Sequence, residues 1–237
     1  MTTLHGKNSV VLFKEFDLSS YFNNADISQT VEPAESTTFG ASAKSYIVGL
    51  RDGTIALAGL FDGAVDAVDE EIKAALASAT DPVLTFAPKV TAVGDKCYLA
   101  AGKITNYSIT SPVADIVSIN TQIQASGGID NGVILHILEA ETGTENGTSV
   151  DNAAASTNGY CAHLHATLVD VTSATIKVQH STDNSSWADL VTFTNLSGTT
   201  ETSERVTGAG TVNRYVRYII SAFTGTTATF AVAFARR

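Results

Sequence analysis

Cysteine is scarce in this 237-residue chain, and long apolar runs are missing. Cys97 and Cys161 lie far apart without a CxxC spacing, which argues against a disulfide framework and favours a reducing compartment. No run approaches the roughly 18 apolar residues that a membrane span needs, so we expect no contact with a membrane. The opening MTTLHGKNS has no apolar segment of the secretory kind, so we expect no signal peptide.

Charged residues are also few, at 16%, whereas Thr, Ser, Ala and Gly are abundant, a composition typical of β-rich proteins. The net charge of −10 is uneven, because residues 1–145 hold 18 acidic and 8 basic residues and residues 146–237 hold 6 of each. This asymmetry indicates two modules. A strongly acidic module binds nucleic acid poorly, since affinity for DNA comes from cations that neutralise phosphates.

Motifs of catalysis and cofactor binding are absent: the chain has no GxSxG, HExxH, P-loop or GxGxxG. We therefore expect no enzyme and no cofactor. The weak metal candidates are Cys161, His163 and His165, which alternate along a predicted strand and so share one face. Alternate strand residues lie about 6–7 Å apart, and no second ligand pair is evident, so we favour a polar outer face with a partly buried cysteine and no metal.

One helix is predicted, in residues 63–82, and the rest of the chain is predicted to be strands. Asp66 is the predicted cap, three acidic residues follow in the first turn, and Pro82 bars continuation. The predicted apolar stripe of the helix is Val68, Ile72, Ala75 and Leu76.

The strand pattern predicts a mainly β protein with three parts. Residues 1–141 read as a β-sandwich or open barrel with the helix, and the Gly/Ser/Thr/Asn-rich residues 142–159 read as a linker. Residues 160–237 read as a second β-sandwich, in which YCAHLHATLVD, SATIKVQHSTD, NRYVRYIISAF and TATFAVAFARR are separate strands.

A long patternless segment, TVEPAESTTFGASAKSY (30–46), interrupts the N-terminal strands. Loops of this length are usually functional or disordered. Arg51-Asp52-Gly53 follows it between two apolar runs, which predicts a hairpin turn.

Residues 5–140 resemble the major tail tube proteins of long-tailed, siphovirus-type bacteriophages. The residues that carry the resemblance are the loop Glu35-Ser-Thr-Thr-Phe-Gly40, Tyr46, the run Gly49-Leu-Arg-Asp-Gly53, and then Gly59 and Phe61. The resemblance implies a virion protein, assembled in the host cytoplasm, that forms stacked hexameric rings around a conduit for DNA. It also implies partners such as the tape measure and tail terminator proteins, and passage of DNA without specific binding.

By this resemblance, the 30–46 segment is an arm that reaches a neighbouring subunit. Phe39 and Tyr46 are its expected anchors, and the expected polar contacts are Glu32, Glu35, Thr37 and Lys44. A mobile surface loop without a partner is the alternative. Acidic residues facing the channel would repel DNA phosphates, and the candidates are Asp26, Glu32, Asp95, Asp115 and Asp130.

Residues of the C-terminal part resemble galactose-binding jelly-roll modules over some 60 positions. The matching residues are Ser181, Asp183, Asn184, Trp187 and the run Arg214-Tyr-Val-Arg217. This resemblance implies a fold more than a ligand. Trp187 is a candidate glycan contact, but closing the end of the sandwich is the favoured interpretation, because large aromatic residues most often supply core burial.

Two other functions stay open on the sequence. A capsid decoration or baseplate protein would use the same β modules and form trimers or single rings. A secreted carbohydrate-binding protein would bind glycans through Trp187 and would need the signal peptide that we do not expect. In a tail tube protein, the near-neutral residues 160–237 would instead lie outside the tube as a decoration domain that contacts host surface glycans.

Overall fold

The computed structural model describes residues 6–237, which are mainly β with one α-helix, and this confirms the predicted fold class. In this described part, no helix is long and apolar enough to cross a membrane. The helix α1 spans Val68–Leu76. The strands are β1 (Val10–Phe13), β2 (Phe16–Asp17), β3 (Phe22–Glu35), β4 (Tyr46–Leu60), β5 (Val83–Ala87), β6 (Lys96–Thr110), β7 (Ser118–Ala125), β8 (Asp130–Glu141), β9 (Glu145–Asn146), β10 (Val150–Asp151), β11 (Tyr160–Ser181), β12 (Ala188–Thr192), β13 (Leu196–Gly198), β14 (Thr202–Gly208) and β15 (Tyr215–Arg236).

The chain divides into two compact units, each built from separated stretches. The first unit contains the chain up to Ser20, Pro82–Leu99 and Asp130–Arg237, and the second contains Tyr21–Asp81 and Ala100–Ile129. This division differs from the predicted boundary at residue 141. The reason is strand pairing, because β1, β5 and β8 join the same sheet as the C-terminal strands.

Two 22-residue antiparallel strands, β11 and β15, dominate the first unit. Each was predicted as two strands. Register shifts between residues 166 and 176 bend the pair, and buried side chains from both halves of β11, such as Leu164 and Ile176, lie in one core. The sandwich is therefore made largely by two long bent strands.

Residues 142–159 do not form the predicted linker. Within this segment β9 and β10 pair with β15, and Ser156 forms a further bridge to Val212. The polar composition suggested a flexible connection, but backbone hydrogen bonds to an existing strand need no apolar side chains.

In the second unit the strand order is β3-β4-β7-β6. The predicted helix is present and buries Val68, Ile72 and Ala75, whereas Leu76 is half exposed. The cap prediction is wrong: Ala67 is the N-cap residue, and Asp66 has φ of 60° while its N–H donates to the Glu70 carboxylate. A side chain from the first turn thus closes the start of the helix.

Candidate functional site: an exposed two-stranded arm

The segment predicted as a patternless loop, residues 30–46, is the outer end of one long β-hairpin, in which residues 30–35 and 46 belong to strands. Strands β3 and β4 pair from Phe22↔Gly59 to Glu35↔Tyr46, so only residues 36–45 lie between them. The predicted turn at Arg51-Asp52-Gly53 is also wrong, because these residues lie inside β4. A ribbon with no buried face lacks the two-residue apolar periodicity by which strands are recognised in sequence.

The outer part of this hairpin has two free edges. Strand β4 pairs with β7 only through Thr54–Leu60, and β4 is the one partner that β3 has among the described strands. Residues 28–52, which we call the arm, are all exposed. Two-stranded ribbons are marginally stable alone in water, and unpaired edges attract further strands.

The arm carries large apolar side chains that are exposed to solvent. Tyr46 and Val48 lie opposite Glu35 and Pro33 and so face the same side as those residues. The exposed fractions are Val31 49%, Phe39 109%, Tyr46 55%, Ile47 60%, Val48 81% and Leu50 79%. Exposed apolar side chains in such number are typical of interaction sites.

Polar contacts inside the arm order its tip. Ser45 N–H donates to Thr37 Oγ1 at 3.0 Å, and Lys44 Nζ lies 3.1 Å from Glu35 Oε2. Gly49 lies against the backbone at a register shift, where a Cβ atom would come within 2.1 Å of the Glu32 carbonyl oxygen. Thr37, Glu35 and Lys44 thus hold the tip that presents Phe39. Their contact with another subunit stays a prediction.

The acidic channel candidates lie in different environments. Asp26 and Asp115 are exposed. The Asp95 carboxylate accepts hydrogen bonds from Thr91 and Ala92 and closes a turn. Asp130 is only 6% exposed and is paired with two arginines, so it is not a free surface charge, and its selection as a channel acid is corrected.

A buried polar chain in the first unit contains two of the weak metal candidates. Arginine has only donors, so Arg205 Nη1 donates to His163 Nε2 (3.2 Å), and His163 Nδ1–H then donates to Thr85 Oγ1 (3.0 Å). The Thr85 hydroxyl donates to His165 Nε2 (2.8 Å), whose Nδ1–H donates to the Lys14 carbonyl (2.6 Å). Both rings are therefore neutral and fully bonded.

The face of β11 that bears these residues is buried, so the predicted polar outer face is wrong. Cys161, His163 and His165 are all 0% exposed. Burial raises the pKa of the Cys161 thiol to about 12, so the thiol is protonated in the metal-free protein. Metal binding at these residues stays a prediction. The sequence missed Thr85 and Arg205, which are distant along the chain and carry no motif.

Acid is expected to destabilise the first unit through these histidines. Burial lowers the pKa of His165 to about 4 and that of His163 well below the usual 6.5. Below pH 6.5 the two histidines bind protons in the unfolded chain but remain neutral in the folded chain. The free energy of unfolding should therefore fall with decreasing pH, by about 1.4 kcal/mol per pH unit for each histidine.

Urea unfolding between about pH 6.5 and 5, above the main carboxyl range, measures this slope. The charged groups that act on the His163 ring are Arg205 and Arg237, and both lower its pKa further. His165→Gln should reduce the slope of unfolding free energy against pH by the contribution of one histidine. His180 is partly exposed, so His180→Gln should leave most of the slope unchanged. Stability that does not change over this interval would contradict the assignment.

Trp187 is neither fully buried nor an open platform. It is half-buried, and the Arg217 guanidinium lies 4.2 Å from the centroid of its ring. The preceding turn is held by Asp183, whose pKa is lowered by hydrogen bonds from the N–H groups of Ser186 and Ser185. A role of Trp187 in glycan contact stays a prediction.

No protein-family model and no curated protein matches this sequence. Among solved structures, a chain from the virion of a native gene transfer agent particle is 17% identical, with a TM-score of 0.43 over 54% of this chain and 98% of that one. A chain from the tail of an empty gene transfer agent particle with C6 symmetry is 18% identical, with a TM-score of 0.42 over 54% and 97%. The Dit protein of phage SPP1, from a hub adsorption apparatus, is 12% identical, with a TM-score of 0.39 over 97% and 99%. At these scores the likenesses assign neither a family nor a function.

Proposed function

We propose that this chain is a non-enzymatic structural protein of a bacteriophage tail and that its copies join through the arm. The observation that carries the proposal is the arm itself, an exposed ribbon with free edges and uncovered apolar side chains. The sequence resemblance over residues 5–140 supports it. The virion, tail and hub structures named above are of the same kind, but their low scores carry none of the argument.

The partner of the arm is a second copy of this chain. An arm that contacts a different surface on its neighbour makes a heterologous interface, and such interfaces generate rings when the rotation closes. Binding orders the arm, covers Phe39 and Val48, and supplies partners for the free edge of β3. We propose six copies per ring, as the resemblance implies.

Exposed apolar side chains outside the arm favour stacked rings over a single ring. The β6–β7 turn exposes Val113 (109%) and Ile116 (67%), and the segment before α1 exposes Val65 (80%). A subunit of a tube needs one contact within its ring and another with the next ring. Tape measure and terminator proteins are the proposed end partners of such a tube.

The charge of the second unit suits a wall along which DNA passes. This unit holds 11 acidic and 4 basic residues, including the exposed Asp26 and Asp115. A negative wall repels phosphates without reading sequence, over a screened range of about 8–10 Å. A map of an assembled tube with a positive channel would overturn this assignment. Host glycan binding by the C-terminal strands is a separate proposal with no supporting contact.

Negative-stain microscopy of the concentrated protein tests the assembly. Long hollow tubes are the expected result. Single rings would favour a baseplate role and trimers a capsid decoration role. Monomers at every concentration would contradict self-assembly through the arm.

A further inference from the structure

A register shift on β8 between His136 and Glu139 brings three metal-ligand side chains to one face. His136 lies opposite Val232, Glu139 opposite Phe230 and Glu141 opposite Ala228 on β15. Directly opposed residues share a face, and alternate residues of β15 share one too. In a regular strand, residues 136 and 139 would face opposite sides, so the extra residue between them in β8 creates the grouping.

The three side chains converge at ligand distances. His136 Nε2 lies 3.0 Å from Glu141 Oε1 and 3.5 Å from Glu139 Oε1. All three donor atoms lie within 4.8 Å of one another, and no other group of three His, Cys, Asp or Glu side chains does so within residues 6–237. Zinc with ligands at about 2.0–2.2 Å in a tetrahedron separates them by about 3.3–3.6 Å. The 3.5 Å distance lies in this range, and the 3.0 Å distance would lengthen slightly around an ion.

Hydrogen bonding fixes the orientation of the His136 ring. Its Nδ1 lies 2.9 Å from the Phe230 carbonyl oxygen, which only accepts, so Nδ1 carries the proton. The ring is 1% exposed and packs between Tyr218 and Phe230, at 4.4 and 4.5 Å between centroids. In the neutral imidazole, Nε2 presents a lone pair towards Glu141 Oε1 at 3.0 Å, whereas a ring protonated at both nitrogens would donate to that oxygen. A cation bound among the neutral ring and the two carboxylates would satisfy all three groups.

The surroundings add further negative charge. Glu145 accepts a hydrogen bond from the Tyr218 hydroxyl at 2.9 Å. Carboxylates that converge on one buried imidazole need a positive partner.

We propose that His136, Glu139 and Glu141 bind one divalent transition-metal ion of the zinc type, with water as the remaining ligand. One imidazole and two carboxylates suit Zn²⁺ better than Ca²⁺ or Mg²⁺, which prefer oxygen ligands only. The Phe230 carbonyl is the outer partner that sets the tautomer and ring orientation of His136. The ion fixes β8 where its register shifts against β15.

The test is titration of the untagged, chelator-treated full chain with zinc chloride by calorimetry, with cobalt absorption as a second readout. We expect one ion per chain and a higher melting temperature with zinc. Glu139→Gln and Glu141→Gln should each weaken binding about 10-fold or more, and neither should unfold the protein, because Glu139 is exposed and Glu141 lies near the surface. Glu201→Gln, at an exposed glutamate outside this group, is the matched control and should bind normally.

Three outcomes would overturn the proposal. They are no stoichiometric binding, binding that Glu139→Gln and Glu141→Gln leave unchanged, and binding that is lost instead in Cys161→Ser. The last would move the ion to the buried cysteine and histidines. These readouts do not depend on tube formation, so they stand apart from the proposed function.

Discussion

Replacing residues 31–51 with Asn-Gly should give a folded protein that no longer assembles. Thr30 and Asp52 are partners in register, so a two-residue Asn-Gly turn closes the shortened hairpin without disturbing the pairs below it. The removed residues are exposed, and β4 pairs with β7 only from Thr54 onward. Sedimentation should show monomers where the parent protein forms rings or tubes, and circular dichroism should still show a folded β protein with the signal of the removed strand residues lost.

Point substitutions separate the apolar contacts of the arm from its length. Val48→Asp places a charge on a side chain that is 81% exposed in the single chain, so folding should be unaffected. If Val48 is buried between copies, the change should cost assembly about 2 kcal/mol or more, a roughly 30-fold rise in the concentration required. Leu168→Asp is the matched control, since Leu168 is an exposed apolar strand residue outside the arm. Equal assembly by the 31–51 replacement, Val48→Asp and Leu168→Asp would show that the arm is not the interface.

Periodicity explains which parts of this fold could be predicted. The helix is predictable because Val68, Ile72 and Ala75 recur at helical spacing. The structure buries all three. The arm was predicted as a loop because both of its faces are exposed and no alternation marks its strands. Its strand structure follows from pairing with the other half of the hairpin, which sequence periodicity does not record.

The buried sites escaped prediction for a different reason. His163 and His165 stand out in the sequence because they alternate along a strand. Their hydrogen-bond partners, Thr85, Arg205 and Lys14, come from three other parts of the chain. The grouping of His136 with Glu139 depends on a register shift, and a regular strand would have separated them. Contacts made by distant or bulged residues leave no local signal.

Asp130→Asn should destabilise the first unit severely. The Asp130 carboxylate binds Arg237 through two hydrogen bonds of 3.0 and 2.8 Å and Arg205 through one of 2.9 Å, while Asp130 itself is 6% exposed. The substitution preserves shape but leaves two guanidinium groups without their anion. Breaking a buried ion pair by removing one partner typically costs about 3–5 kcal/mol. Urea unfolding at pH 7 measures the loss of unfolding free energy.

Asp151→Asn provides the matched control for this prediction. Asp151 also binds an arginine through two hydrogen bonds, of 2.7 and 2.6 Å to Arg214, but this pair is exposed. Solvent screens an exposed pair, so its loss should change stability little. Equal effects of the two substitutions would mean that the Asp130 site is as well solvated as the surface. Arg205 also donates to His163. In Asp130→Asn this arginine loses its neutralising anion, so its positive charge should make protonation of His163 in the folded protein still less favourable.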